Sequence, residues 1–220
     1  MRPSEEFETI EAGTHLCLLY DSVAEQKAVA LPFLRGGWLQ GERCFCVVGH
    51  ESEDTWSVAL QAYGIDVDFA RTTRSLVLGR YPDRPGPGQF NSVSMARTVW
   101  AFVQDSLISF SGVRFAVDMA SSLARELPAD QLCHWEATFD LLHGSEAPIR
   151  TVCMYDRRRL PAAQIDAALR THAYVLVEGR LCLNSFYEAS EIIEHEPHLN
   201  ASSADVETVE RMIATLLGSS

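Results

Sequence analysis

The chain has 220 residues, 47% of them hydrophobic and 22% charged, which places it inside the globular range and far from disorder. With 18 Lys and Arg against 30 Asp and Glu the net charge is −12, an argument against a nucleic-acid-binding face, since phosphate contacts need clustered basic residues. No uninterrupted apolar run of about 18 residues occurs, so no membrane span is expected. The opening Met1-Arg2-Pro3-Ser4-Glu5-Glu6 is acidic and lacks the apolar stretch of a secretory signal. Cysteines at 17, 44, 46, 133, 153 and 182 form no CxxC pair, and reduced, mostly buried thiols in a cytoplasmic protein are the expectation.

His15 to Tyr20 reads as a buried strand, and Asp21 or Ser22 as the cap of a helix from Val23 to Leu39. Pro32 would kink that helix and Gly36-Gly37 would weaken its last turns. Arg43–Val48 predicts a second strand, Glu51–Tyr63 a helix stopped by Gly64, and Ser75–Leu78 a third strand. The Pro- and Gly-rich stretch from Tyr81 to Gln89 must be a loop. Beyond it, Ser92–Ser109 predicts a helix, Val113–Asp118 a strand, Asp130–His143 a helix and Ile149–Tyr155 a strand. Pro161–Thr171 predicts a further helix, and Tyr174–Val177 a strand that Glu178-Gly179 turns into Arg180–Leu183. The last helix spans Val206 to Leu217. Trp38, Trp56, Trp100 and Trp135 fall in these helices and read as core residues.

Strands alternating with helices predict an α/β domain with a parallel sheet covered on both faces. In such sheets ligands bind beyond the carboxyl ends of the strands. Those ends carry Tyr20-Asp21-Ser22, Gly49-His50-Glu51, Asp118-Met119-Ala120 and Tyr155-Asp156-Arg157. The ligand-binding candidates are therefore Tyr20, Asp21, Asp118, Tyr155, Asp156 and Arg157, with His15, Cys17 and His172 behind them. Arg157-Arg158-Arg159 could hold an anion, or could pair with Asp156 and face water.

A helix followed by Gly41-Glu42-Arg43 and an apolar strand resembles the RecA-like ATPases of the KaiC type, and Val113–Asp118 resembles their Walker B strand. A phosphate loop needs G-x-x-x-x-G-K-[ST], so that backbone N–H groups, a lysine and a hydroxyl converge on phosphate and magnesium. Here Tyr20-Asp21-Ser22-Val23-Ala24-Glu25-Gln26-Lys27 has no glycine, and Ala28 follows the lysine. Asp21 and Glu25 put negative charge where phosphate would sit, and two like charges about 4 Å apart repel by about 4 kcal/mol at an effective dielectric of 20. The expected fold is a three-layer RecA/KaiC-like α/β arrangement that has lost its phosphate loop.

Five segments sharpen the resemblance: His15–Asp21, Gly41–Cys44, Cys153–Pro161, Leu169–His172 and Gly179–Glu188. Together they resemble the MEDS family, a sensory domain named for methanogens, methylotrophs and the dichloromethane-responsive regulator DcmR. The resemblance implies a RecA/KaiC relative that senses small molecules, hydrocarbon derivatives among those proposed, beside helix-turn-helix, kinase or STAS modules. It covers roughly residues 10–190, with 1–190 expected as the sensory domain and 191–220 as an acidic extension with one helix. No output module is visible, so a signal would leave through a separate partner in a regulatory pathway or through self-association.

His15 and Cys17 share a face of their strand, and with Cys153 and His172 they could assemble a thiophilic metal site. Core packing or pocket lining outweighs that reading, since Cys in such runs behaves as a small hydrophobe. No metal and no cofactor is therefore expected. Nor is catalysis, because no G-x-S-x-G elbow occurs and Ser121-Ser122 has no nearby base, while His134 and Trp135 with Glu136 make no metal motif and His195 and His198 sit in an acidic tail without matching ligands. A non-catalytic sensory domain is the leading expectation, with an unknown small molecule as ligand and neither nucleic acid nor membrane as partner. The alternatives are a residual nucleotide-binding enzyme built on Asp118 and the arginines, and an interaction module docking through its acidic surface and last helix.

Overall fold

The computed structural model describes residues 7–49, 51–79, 91–120, 127–190, 193 and 204–218. The expected Tyr81–Gln89 loop, together with His50, Ser121, Ser122, His195 and His198, lies outside them. Strand β1 (His15–Tyr20) is wholly buried and leads into helix α1 (Val23–Leu39), whose cap is Ser22. Strand β2 (Arg43–Val47) follows, then helix α2 (Glu53–Ala62), with Ser52 as its cap. A short helix α3 (Val67–Thr72), opened by Asp66, was not foreseen; six residues are too few to show a helical period. Strand β3 (Leu76–Gly79), helix α4 (Ser92–Leu107), strand β4 (Val113–Asp118) and helix α5 (Ala129–His143) come next. The rest comprises β5 (Ile149–Asp156), helix α6 (Ala162–Thr171), β6 (Tyr174–Val177), β7 (Arg180–Leu183) and helix α7 (Val206–Gly218).

The seven strands form one sheet in the order β3-β2-β4-β5-β1-β6-β7, parallel except for the antiparallel β6–β7 hairpin. Glu178 (φ 51°) and Gly179 (φ 73°) make the hairpin's two-residue turn, both in the left-handed region that such turns require. Period-two alternation then sorts each central strand onto two cores. Leu16, Leu18 and Tyr20 of β1 join Cys44, Cys46, Ala116, Val152 and Met154 under α1, α2 and α3. Cys17 and Leu19 join Phe115, Val117, Cys153 and Tyr155 under α4, α5, α6 and α7. Val209, Met212, Ile213 and Leu216 carry α7 into that second core. Trp56 and Trp135 are buried, and Trp38 and Trp100 pack against the cores from partly buried positions.

Pro32 sits inside α1 without ending it. Gly36 and Gly37 permit close packing in its last turns. A Cβ at Gly36 would lie 2.3 Å from the carbonyl oxygen of Glu8, and one at Gly37 would lie 2.6 Å from Cδ of Arg114. Arg114, buried on β4, pairs with Glu42 and donates to the carbonyls of Phe33 (2.8 Å), Glu8 (3.0 Å) and Phe7 (3.2 Å). It thereby fastens the segment before β1 to the sheet. All six cysteines are free and buried. Among the described residues no helix is long and apolar enough to cross a membrane.

A closed carboxyl edge and a buried polar cluster as the candidate functional site

At the carboxyl end of β1 the chain satisfies its own helix terminus. Ser22 Oγ accepts from the Glu25 amide (3.2 Å), and the Glu25 carboxylate reaches back to the Asp21 amide (2.9 Å). This reciprocal capping occupies amides that a phosphate loop would offer to its ligand. The carboxylate of Asp118 closes β4 and is engaged as well. Its Oδ2 accepts from Gln26 Nε2 (2.9 Å) and Tyr20 Oη (3.3 Å), and its Oδ1 from the Ala120 amide (2.9 Å). Burial, then the Asp118 charge, pushes the Tyr20 phenol well above its ordinary range, so it stays a donor. Gly49 leaves room for this array, because a Cβ there would fall 1.8 Å from Asp118 Oδ2. Lys27 turns to Glu51 (2.6 Å) and lies over the Trp56 ring.

The arginine run resolves into pairs. Arg157 forks onto Asp21, with Nε donating to Oδ1 at 3.0 Å and Nη2 to Oδ2, and lies 3.8 Å from Glu178 of the hairpin turn. Arg159 pairs with Asp156 (3.1 Å), and the Arg158 amide donates to the same carboxylate. Tyr20 with Asp118, Asp21 with Arg157, and Asp156 with its arginines thus do meet along one edge. Tyr155 does not join them: its odd register turns it through the other face of the sheet, toward His15, Cys17 and His172.

There α5 presents Glu136, Asp140 and His143, one turn apart, to β1 and β5. His15 Nδ1 lies 3.0 Å from Asp140 Oδ1, and its Nε2 lies 3.4 Å from Glu136 Oε2 and 3.5 Å from Cys153 Sγ. Tyr155 Oη donates to Glu136 Oε1 (2.6 Å), and the Cys153 thiol points to Oε2 (3.7 Å). His172 sets Nδ1 on the Ala168 carbonyl (2.8 Å) and holds Nε2 3.8 Å from Glu136 Oε2, where it makes no hydrogen bond. His143 stacks on His15 at 4.8 Å and meets Thr151 Oγ1 through Nε2 (2.9 Å). Ser190 and Tyr187 hold Asp140 Oδ2 from the segment after β7. Cys17 stands opposite Cys153 in register, its thiol pushed up by burial and by the Glu136 charge.

Burial alone would lower His15, but the hydrogen bonds and charges of Asp140 and Glu136 outweigh it and raise the imidazole to about 9. Burial opposes ionisation of Glu136 and Asp140, yet His15 holds both below the ordinary carboxylate range. Burial and the neighbouring His15 drive His143 down to about 3 and His172 to about 4, so both rings stay neutral. Glu136, set aside in the sequence as part of no metal motif beside His134, belongs to this cluster, and Asp140 was missed. The available signal was two acids and a histidine at i, i+4 and i+7 on the apolar face of a helix.

A mainly parallel seven-stranded sheet, with an acid closing β4 and a capped helix after β1, defines a RecA/KaiC-like α/β domain. The solved structures similar in fold include the following two. The flagellar accessory protein FlaH from Methanocaldococcus jannaschii aligns with a TM-score of 0.54 and 11% identity, over 78% of this chain and 76% of that one. A KaiC-like protein from Pyrococcus horikoshii OT3 aligns with a TM-score of 0.52 and 16% identity, over 74% and 70%. None of the curated proteins matches the sequence. The model of the MEthanogen/methylotroph, DcmR Sensory domain family matches residues 14–173, and the chain belongs to that family, MEDS.

Proposed function

We propose that this MEDS domain is a non-catalytic sensor that binds a small molecule at the carboxyl edge of its sheet and signals through a partner protein or a second copy. One observation carries the reading: the Asp118 carboxylate, where a Walker B acid would hold magnesium, is taken up by Tyr20, Gln26 and the Ala120 amide. Mg·ATP would have to displace all three donors and then face Asp21 and Glu25. The Asp21–Arg157 pair supports an input of another kind, because it joins β1 to β5 beside Glu178 of the hairpin. That hairpin holds α7 through Arg180, which donates to the Leu217 carbonyl at 2.8 Å. A ligand drawing Arg157 away from Asp21 would bias the hairpin and α7 between two arrangements, by as much as its affinities for the two differ.

Calorimetric titration of the full chain with Mg·ATP tests the reading, with no binding and no phosphate release expected. Native mass spectrometry of freshly purified protein should show a small-molecule adduct that Arg157→Ala loses. Micromolar Mg·ATP binding, with turnover that Asp118→Asn abolishes, would overturn the proposal in favour of a residual nucleotide enzyme.

A further inference from the structure

We propose that His15, Glu136, Cys153 and His172 form a four-coordinate site for a zinc-class divalent cation, buried between the sheet and helices α5 and α6. The four side chains are fully or almost fully buried, and one ligand atom from each lies within 4.8 Å of the others. Zinc bonds of about 2.0 Å to N or O and about 2.3 Å to S, arranged tetrahedrally, place N and O ligands about 3.3 Å apart and S about 3.6 Å from either. The structure has His15 Nε2 to Glu136 Oε2 at 3.4 Å and His172 Nε2 to Glu136 Oε2 at 3.8 Å. It has Cys153 Sγ to His15 Nε2 at 3.5 Å and to Glu136 Oε2 at 3.7 Å. These are four of the six edges of a tetrahedron around one ion; the other two, from His172 to His15 and to Cys153, lie within 4.8 Å and would close by a small shift of the His172 ring.

The surrounding groups aim the ligand atoms. A ring nitrogen facing an acceptor carries the proton and leaves the other nitrogen's lone pair for a metal. His15 Nδ1 faces the Asp140 carboxylate and His172 Nδ1 faces the Ala168 carbonyl, so both Nε2 atoms turn inward. Tyr155 holds the second oxygen of Glu136, leaving Oε2 toward the centre. The independent sign is His172 Nε2, which is buried, without a hydrogen bond, and pointed at this centre. A polar atom in that condition costs free energy that a bound cation would offset.

The charge balance also permits the ion. A thiol binds a metal as the thiolate, so the ion's entry would release the Cys153 proton and offset part of the added charge. Two imidazoles, a thiolate and a carboxylate suit zinc better than calcium or magnesium, which prefer oxygen. Four protein ligands leave no open position, so the ion would be a staple between β1, α5, β5 and the end of α6 and not a Lewis acid for a substrate.

The test uses the full chain, stripped of metal with a chelator and reloaded with Zn²⁺ or Co²⁺. One zinc per chain is expected by elemental analysis, with a four-coordinate cobalt spectrum that includes a thiolate-to-cobalt charge-transfer band. Cys153→Ser should abolish that band and weaken zinc at least about 100-fold, and Asp140→Asn, which only positions His15, should weaken it about 10–100-fold. The double variant of His195→Ala and His198→Ala should leave binding unchanged. A folded wild-type chain that holds one equivalent of Co²⁺ without the thiolate band overturns the proposal, even if Cys153→Ser does not fold. So does zinc affinity unaltered by Cys153→Ser, or lost with the two tail histidines.

Discussion

Replacing Arg114 by Met keeps a long side chain on β4 while removing its charge and its donors. Wild-type Arg114 is fully buried, shares Glu42 with Arg150 and supplies the carbonyls of Phe7, Glu8 and Phe33. Breaking a buried pair by deleting one partner costs about 3–5 kcal/mol, because the surviving charge is left in the interior. Here Arg150 stays 2.6 Å from Glu42 and continues to neutralise it, which sets the expectation at the lower end, about 3 kcal/mol. For a chain of this size that corresponds to a drop of roughly 6–12 °C in Tm. Glu42→Gln combined with Arg114→Met should cost less than the sum of the two single changes, with a coupling of about 1–3 kcal/mol. Urea unfolding of the four proteins measures the cycle. A single Arg114→Met cost under about 1 kcal/mol, or strict additivity, would refute the reasoning that this residue anchors the amino-terminal segment.

Gly49→Ala should destabilise by more than about 2 kcal/mol, since its methyl would lie 1.8 Å from Asp118 Oδ2 and force the Tyr20–Asp118–Gln26 array apart; a normal melting curve would count against that packing. His143 predicts an acid limb. Its folded pKa of about 3 lies below the unfolded 6.5, so its contribution is present above about pH 6.5 and is lost as pH falls toward 3, by as much as roughly 4 kcal/mol. The ring faces Thr151, the Phe139 carbonyl, His15 and Asp140, and feels His172. Unfolding midpoints of wild type and His143→Gln between pH 7 and 4 should diverge in slope by one proton, and equal slopes would remove His143 from the account.

The fold was legible because strand–helix alternation is a strong periodic signal, and Val113–Asp118, Tyr174–Val177 and Arg180–Leu183 occur where the pattern places them. The six-residue α3 lay below the length at which a period shows. The edge residues were legible as a set, because parallel strands bring Tyr20, Asp118 and Asp156 to one end whatever their partners. A pair between Asp156 and a neighbouring arginine was one of two readings and occurs with Arg159, but the Asp21–Arg157 fork was not legible, since it depends on loop geometry that residue type does not encode. Tyr155 shows a further limit. Next to Asp156 it reads as an edge residue, yet alternation in β5 turns it to Glu136, 19 positions back in the chain. His15, Cys153 and His172 could be suspected from strand faces alone. Glu136 completes them only because α5 lies over β1 and β5, a packing choice that the helix's own period does not specify.

The reciprocal caps of Ser22 and Glu25 have a physiological corollary. Scaffolds that leave a helix terminus open rely on a phosphate to finish it, and their melting point climbs with the concentration of that phosphate. This terminus is completed by its own side chains from the moment of folding. Under the proposed reading, its persistence would not depend on the supply of nucleotide, and a domain whose shape is indifferent to that supply is free to respond to another signal.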